Sequence, residues 1–149
     1  MRAVVQRISF GRVTVDGETV GEIGAGLLVY AAVAPDDCDA DVTYVAGKVA
    51  GLRIFPDADG KMNLSLAETG GAALVVSAFT VLADARKGRR PSFDSSAQGE
   101  TARPLVEALV AELRRRGFTV ETGRFAAPML VESVNDGPSC VLLDSKRVI

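Results

Sequence analysis

An α/β fold with one mixed, mostly antiparallel sheet and two long helices is what this chain predicts. Three observations carry that reading. Arg2–Ile8 alternates apolar and polar residues, as a half-buried strand does. Helical spacing of apolar residues recurs in two long stretches, around Val42–Leu52 and from Pro104 to Arg116. The strand-like runs do not alternate regularly with helices, which argues against a doubly wound parallel sheet.

The elements run in order along the chain. Val13-Thr14-Val15, then Asp16-Gly17, then Glu18-Thr19-Val20 is a hairpin signal. Gly24-Ala25-Gly26 leads into an apolar strand, Leu27–Val33, which Pro35-Asp36-Asp37 breaks. Val42, Val45, Ala46, Val49 and Leu52 then mark one helix face, with the acids between Asp36 and Asp41 at its start. Asp57-Ala58-Asp59-Gly60 reads as a solvated turn, since it lacks EF-hand spacing. Ala72–Leu82 reads as one long buried strand and 86–98 as a loop. Pro104 opens the second helix, with Leu105, Leu109 and Leu113 on one face and Gly117 as its stop. Phe118–Glu121, Met129–Val134 and Cys140–Leu143 complete the strands, with Asn135-Asp136-Gly137-Pro138 as turn chemistry between the last two.

At 149 residues the whole chain, 1–149, is expected to form a single domain with room for a proper core. Apolar residues at 48% and charged residues at 24% place it among globular rather than disordered chains. No start resembling a signal peptide and no apolar run of spanning length is present, so a cytoplasmic protein with no membrane partner is expected. Cys38 and Cys140 lie far apart and form no CxxC pair, which favours two reduced thiols. The net charge of −2 is wrong for a protein that coats nucleic acid, so RNA contacts should be small and local, and DNA is not expected as a partner.

Histidine is absent. That removes Ser-His-Asp and Cys-His catalysis, HExxH zinc sites and an imidazole base. Chemistry must then come from carboxylates, hydroxyls, backbone groups or the substrate. The glycines of Gly21–Gly26 lack GxGxxG spacing and precede a strand, so tight turns account for them better than a dinucleotide site. Arg86-Lys87-Gly88-Arg89-Arg90 is the densest basic loop; a solvated loop and a phosphate contact through Arg89 and Arg90 explain it equally well. Arg114-Arg115-Arg116 ends a helix, where cations complement the dipole. Ser77 and Thr80 are hydroxyls among apolar neighbours, a pattern more often structural than catalytic.

Val75-Val76-Ser77-Ala78-Phe79-Thr80-Val81 and Val134-Asn135-Asp136-Gly137-Pro138-Ser139-Cys140, taken together, resemble the two active-site motifs of the D-aminoacyl-tRNA deacylases of the D-Tyr-tRNA deacylase type. Gln6-Arg7, Gly21–Val29, Arg53-Ile54-Phe55, Gly60–Asn63, Arg90–Phe93 and Thr122–Ala127 are similar to that family in the same order. Two positions depart from it: Ala78 stands where the family usually has glutamine, and Cys140 where it usually has threonine.

The resemblance implies a partly open barrel, a homodimer, and hydrolysis of the ester between a D-amino acid and the 3′-terminal adenosine of tRNA, without metal or cofactor. It assigns the catalytic region to Ser77, Phe79 and Thr80, with backbone donors near Phe79 and Thr80 polarising the ester carbonyl. It assigns a chirality filter to Asn135, Gly137 and Pro138, reaching into the partner subunit's site. A carbonyl held against Cα excludes an L side chain and accepts hydrogen, so glycine should pass as well. Phe125, Ala126 and Met129 correspond to the adenine-facing segment. The rival expectation, motivated by Ala78 and Cys140, is a catalytically weakened tRNA-end binding protein of the same fold.

Overall fold

The computed structural model describes residues 1–149. A long first strand, β1 (Arg2–Val15), organises the sheet. It turns at Asp16-Gly17 into β2 (Glu18–Ile23), with φ of 50° and 79° at the two turn residues. Both values are positive, as the tight hairpin turn matching strand twist requires. β3 (Gly26–Ala32) then pairs antiparallel with the first half of β1, Arg2–Ile8, so β2 and β3 share one edge of β1. The other edge carries β8 (Leu130–Asp144), antiparallel along nearly the whole length. Beyond β3, β6 (Ala72–Ser77) and β7 (Val120–Thr122) add in parallel, so the sheet is mixed as expected.

The sheet nearly closes into a barrel where β2 comes against β7. A Cβ on Gly21 would stand only 2.3 Å from the Thr122 carbonyl oxygen, so glycine is what permits the seam. Leu28, Leu74 and Val76 point into the barrel with Ile8, Val13 and Ile23. The alternate residues Leu27, Val29, Ala31, Ala73 and Val75 point outward beneath the helices. The helical layer is α1 (Asp39–Gly51) and α3 (Gly99–Arg115). Val42, Val45, Ala46 and Val49 of α1 and Leu109 and Leu113 of α3 are buried there. Each such leucine contributes about 1.5–3 kcal/mol by leaving water. The Cys38 N–H donates to the Asp41 carboxylate at 2.8 Å and starts α1. A small ribbon, β4 (Phe55–Pro56) and β5 (Met62–Leu64), flanks the Asp57–Gly60 turn, and a single-turn helix, α2 (Leu66–Thr69), precedes β6.

Three departures from the sequence reading bear on the site. The strand expected over Ala72–Leu82 ends at Ser77, and Phe79–Leu82 forms a 3-10 turn. The ladder with β3 ends at Ala31↔Ser77, and only the Ala78 N–H still reaches the Ala31 carbonyl, at 2.9 Å. The Val33 carbonyl, next along that edge, accepts from the Ala97 N–H at 2.8 Å, and the chain after Ala78 satisfies itself locally. The second helix begins at Gly99 rather than at Pro104. The Gln98 carbonyl accepts from Thr101 and Ala102, and Ala102 is buried against the core, which anchors an extra turn ahead of the proline. Residues 135–139 form no hairpin. Both flanking runs belong to β8 and continue in one direction along β1.

Candidate active site

Ser77 ends β6, and the 3-10 turn after it sets the local chemistry. The Val81 N–H bonds back to the Ala78 carbonyl, whereas the N–H groups of Phe79 and Thr80 donate to no backbone carbonyl. They are the orphan donors that every helical turn leaves at its start. The Phe79 carbonyl accepts from the Ser96 hydroxyl at 2.9 Å. The Phe79 ring, 56% exposed, meets Phe93 edge-on with centroids 5.1 Å apart.

Ser77, Phe79, Phe93 and Ser96 border a cavity of about 520 Å³, and Thr80 is next to Phe79 outside its lining. Ala32 and Val33, Ser77 and Phe79, the start of α3, and the segment Phe125–Met129 line it. Ala126 adopts φ 61°, unusual for a residue with a Cβ. Met129 packs its sulfur where a Cβ on Gly123 would stand, at 2.6 Å. No lining residue carries a charge. An uncharged, aromatic-edged cavity with a few hydroxyls suits a planar neutral ring better than an ion.

Gly137 and Pro138 line no part of this cavity. Between Ile8↔Asn135 and Gln6↔Cys140, β1 supplies one residue, Arg7, while β8 supplies four, Asp136–Ser139. The excursion is held from two sides. The buried Arg7 guanidinium donates to the Asp136 carbonyl at 2.9 Å and to the Ile54 carbonyl at 2.5 Å. The Asn135 side chain accepts from the Ser139 N–H at 3.0 Å. The Gly137–Pro138 peptide bond is cis. Arg7 stands in the row Arg7↔Leu27↔Ala73, so the excursion lies four residues and three strands away from Ser77. At usual strand dimensions that is about 20 Å along the sheet.

The sequence matches the family described as D-Tyr-tRNA(Tyr) deacylase over residues 4–144. It is 57% identical over 148 residues to a D-aminoacyl-tRNA deacylase of Anaeromyxobacter dehalogenans, covering 99% of each chain. The chain belongs to the D-aminoacyl-tRNA deacylase family. A Clostridioides difficile relative of the same name is 53% identical, again over 99% of each chain. A solved structure described as c-Myc DNA Unwinding Element Binding Protein superposes with a TM-score of 0.91 at 33% identity, covering 97% of this chain and 98% of that one. A probable eukaryotic D-amino acid tRNA deacylase shares the fold, with a TM-score of 0.81 at 18% identity over 95% and 97% of the two chains.

As a deacylase the chain is a hydrolase, and its expected site residues separate into three groups. Ser77, Phe79, Phe125, Ala126 and Met129 surround one cavity. Thr80 sits exposed on the 3-10 turn beside it, not in a strand. Asn135, Gly137 and Pro138 form the distant excursion, and Arg89 and Arg90 stand exposed on the loop after the 3-10 turn. Arg86 of that loop is bound to Asp84 at 2.6 Å, which holds the Asp84 carboxyl well below the usual range, by hydrogen bonds first and charge second. Arg89 and Arg90 have no such acid. Sequence reasoning gave no role to Phe93, Ser96 or Arg7. The signal for Arg7 is present: an arginine stands at a buried position of β1, in line with Ala3 and Val5 on the face beneath the helices.

Proposed function

We propose that the neutral cavity holds the terminal adenosine of a D-aminoacyl-tRNA, and that the ester carbonyl lies against the N–H groups of Phe79 and Thr80. The observation that carries this is the pair of unpaired backbone donors at the rim of an uncharged cavity, in a chain of the deacylase family. Donors fixed before the reaction stabilise the developing oxyanion without reorganising. Water attacks the carbonyl, the 3′-oxygen leaves with a proton, and the D-amino acid is released. No carboxylate lines the cavity and the chain has no imidazole, so the neighbouring 2′-hydroxyl of the substrate assists the water.

The working unit is a homodimer of single-domain chains, 1–149, in the cytoplasm. About 20 Å of sheet separates the Gly137–Pro138 excursion from Ser77. The filter therefore serves the cavity of a second copy. Exposed apolar residues along β1 and β8 fit that arrangement. Leu130, Val134 and Leu142 are 54–76% exposed, Val134 pairs with Phe10, Leu142 pairs with Val4, and the far edge of β8 has no partner strand. Exposed apolar rows on an unpaired edge mark a surface meant to be covered.

The test is hydrolysis of D-tyrosyl-, L-tyrosyl-, L-alanyl- and glycyl-tRNA by the purified protein. Turnover of the D and glycyl esters with survival of both L esters supports the reading. Binding of D-tyrosyl-tRNA without turnover returns the chain to the tRNA-end binding alternative.

A further inference from the structure

Beside the neutral cavity lies a second cleft of about 670 Å³, between α3 and β7, which shares Ser77 and Phe125 with it. The two differ sharply in charge. The cleft is lined by Arg103, Arg114, Arg115 and Arg124, against a single acid, Glu107. Arg115 is occupied by Glu112 at 2.7 Å, but Arg103, Arg114 and Arg124 have no carboxylate partner. The Arg114 guanidinium donates to the Val120 carbonyl at 2.7 Å, and that of Arg103 lies 4.6 Å from the centre of the Phe125 ring.

Helix electrostatics explain only part of this set. A cation at the C-terminal end of α3 complements the dipole, which accounts for Arg114. Arg103 sits near the N-terminal end of the same helix, where a cation is disfavoured, and Arg124 lies outside it. Three guanidinium groups around one cleft in a chain of net charge −2 repel one another unless an anion joins them.

We propose that this cleft is a second nucleotide subsite, which takes the phosphates of the single-stranded RNA immediately 5′ of the terminal adenosine. The proposal rests on the reading that the neutral cavity takes that adenosine. The shared wall is what joins the two: Phe125 presents one side to the cavity and carries Arg103, so a strand leaving the neutral cavity passes into a cationic one. Arginine suits this task, because its planar fork binds phosphate oxygens in pairs.

The experiment measures binding of a single-stranded RNA octamer ending in CCA-3′, and of adenosine alone, to the intact protein across salt concentrations. Arg124 makes no side-chain hydrogen bond or ion pair, so Arg124→Gln leaves the fold intact; Arg103→Gln is the second variant. Each should weaken octamer binding about tenfold at low salt and reduce the log–log salt slope by about 0.7. Wild-type protein should bind the octamer more tightly than adenosine. Unchanged slopes in both variants, or equal affinity of the wild type for octamer and adenosine, overturn the subsite. D-tyrosyl-tRNA hydrolysis by the same wild-type sample decides the deacylase reading separately, because the binding readout does not depend on turnover.

Discussion

Arg7 occupies the space that a side chain on Gly137 would need: a Cβ there would stand 2.8 Å from Arg7 Nη2. The same guanidinium is pinned by the carbonyls of Asp136 and Ile54, so it has no free direction in which to retreat. Gly137 also sits at φ +132°, a region that L side chains rarely adopt. We therefore expect Gly137→Ala to cost about 1–3 kcal/mol and to lower turnover of D-tyrosyl-tRNA at the same time. Thermal unfolding and deacylation rate, measured on one preparation, check the pairing. Unchanged values of both would break the link between Arg7 and the excursion.

Thr80 tests whether the side chain or the backbone does the work. Thr80→Ala keeps the N–H and should lower the rate less than tenfold, since oxyanion stabilisation survives. Replacing the Thr80 peptide N–H by an ester oxygen, through semisynthesis, should cost about 10²–10³-fold in kcat. A trapped acyl-enzyme on the Thr80 hydroxyl would contradict this assignment.

Subunit complementation tests the proposal of a site shared between two copies. Phe79→Pro damages the donors of a chain but leaves its Gly137–Pro138 excursion, whereas Gly137→Ala does the reverse. Each homodimer should be nearly inactive. After unfolding and refolding together, mixed dimers should regain activity at one of their two sites. Leu142→Asp, at an exposed position of β8, should abolish both dimer and activity, as read by light scattering and turnover.

Asp41 is expected to contribute to stability against acid. Burial alone would raise its pKa, but hydrogen bonds from the Ser145 hydroxyl, the Cys38 N–H and Lys146 overcome this and hold it well below the usual carboxylate range. In the unfolded chain Asp41 protonates near its ordinary value of about 3.9. Its contribution is therefore complete above that pH and is lost as pH falls toward the lower folded value. We expect Asp41→Asn to cost about 2 kcal/mol at pH 7, with the gap from wild type closing below about pH 4. Denaturant titrations at pH 7 and pH 3 measure it; a gap that widens on acidification would refute the assignment.

Much of the fold was legible because local chemistry and tertiary outcome agreed. Asp16-Gly17 produced the hairpin, and the spacing from Val42 to Val49 produced the buried face of α1. The misreadings arose where a distant partner decides the outcome. β6 stops at Ser77 because the next carbonyl on that edge, that of Val33, accepts from the distant Ala97 instead. α3 starts at Gly99 because Ala102 finds the core, whatever Pro104 favours. At the candidate site, Phe93 and Ser96 join Phe79 across a loop whose course no local pattern encodes. The excursion at Asn135–Ser139 looked like a hairpin because its residues carry turn chemistry, and only the continuous register with β1 distinguishes the two.

The absence of charge around the cavity has a physiological consequence. A catalyst whose pocket contains no titrating side chain has no switch that acidity can throw. Any pH dependence of its chemistry is then inherited from the substrate, through the α-amino group and the lability of the ester. Under the proposed filter, cells that drift in internal pH would keep this checkpoint at constant stringency, because discrimination by a fixed carbonyl does not rest on a protonation state.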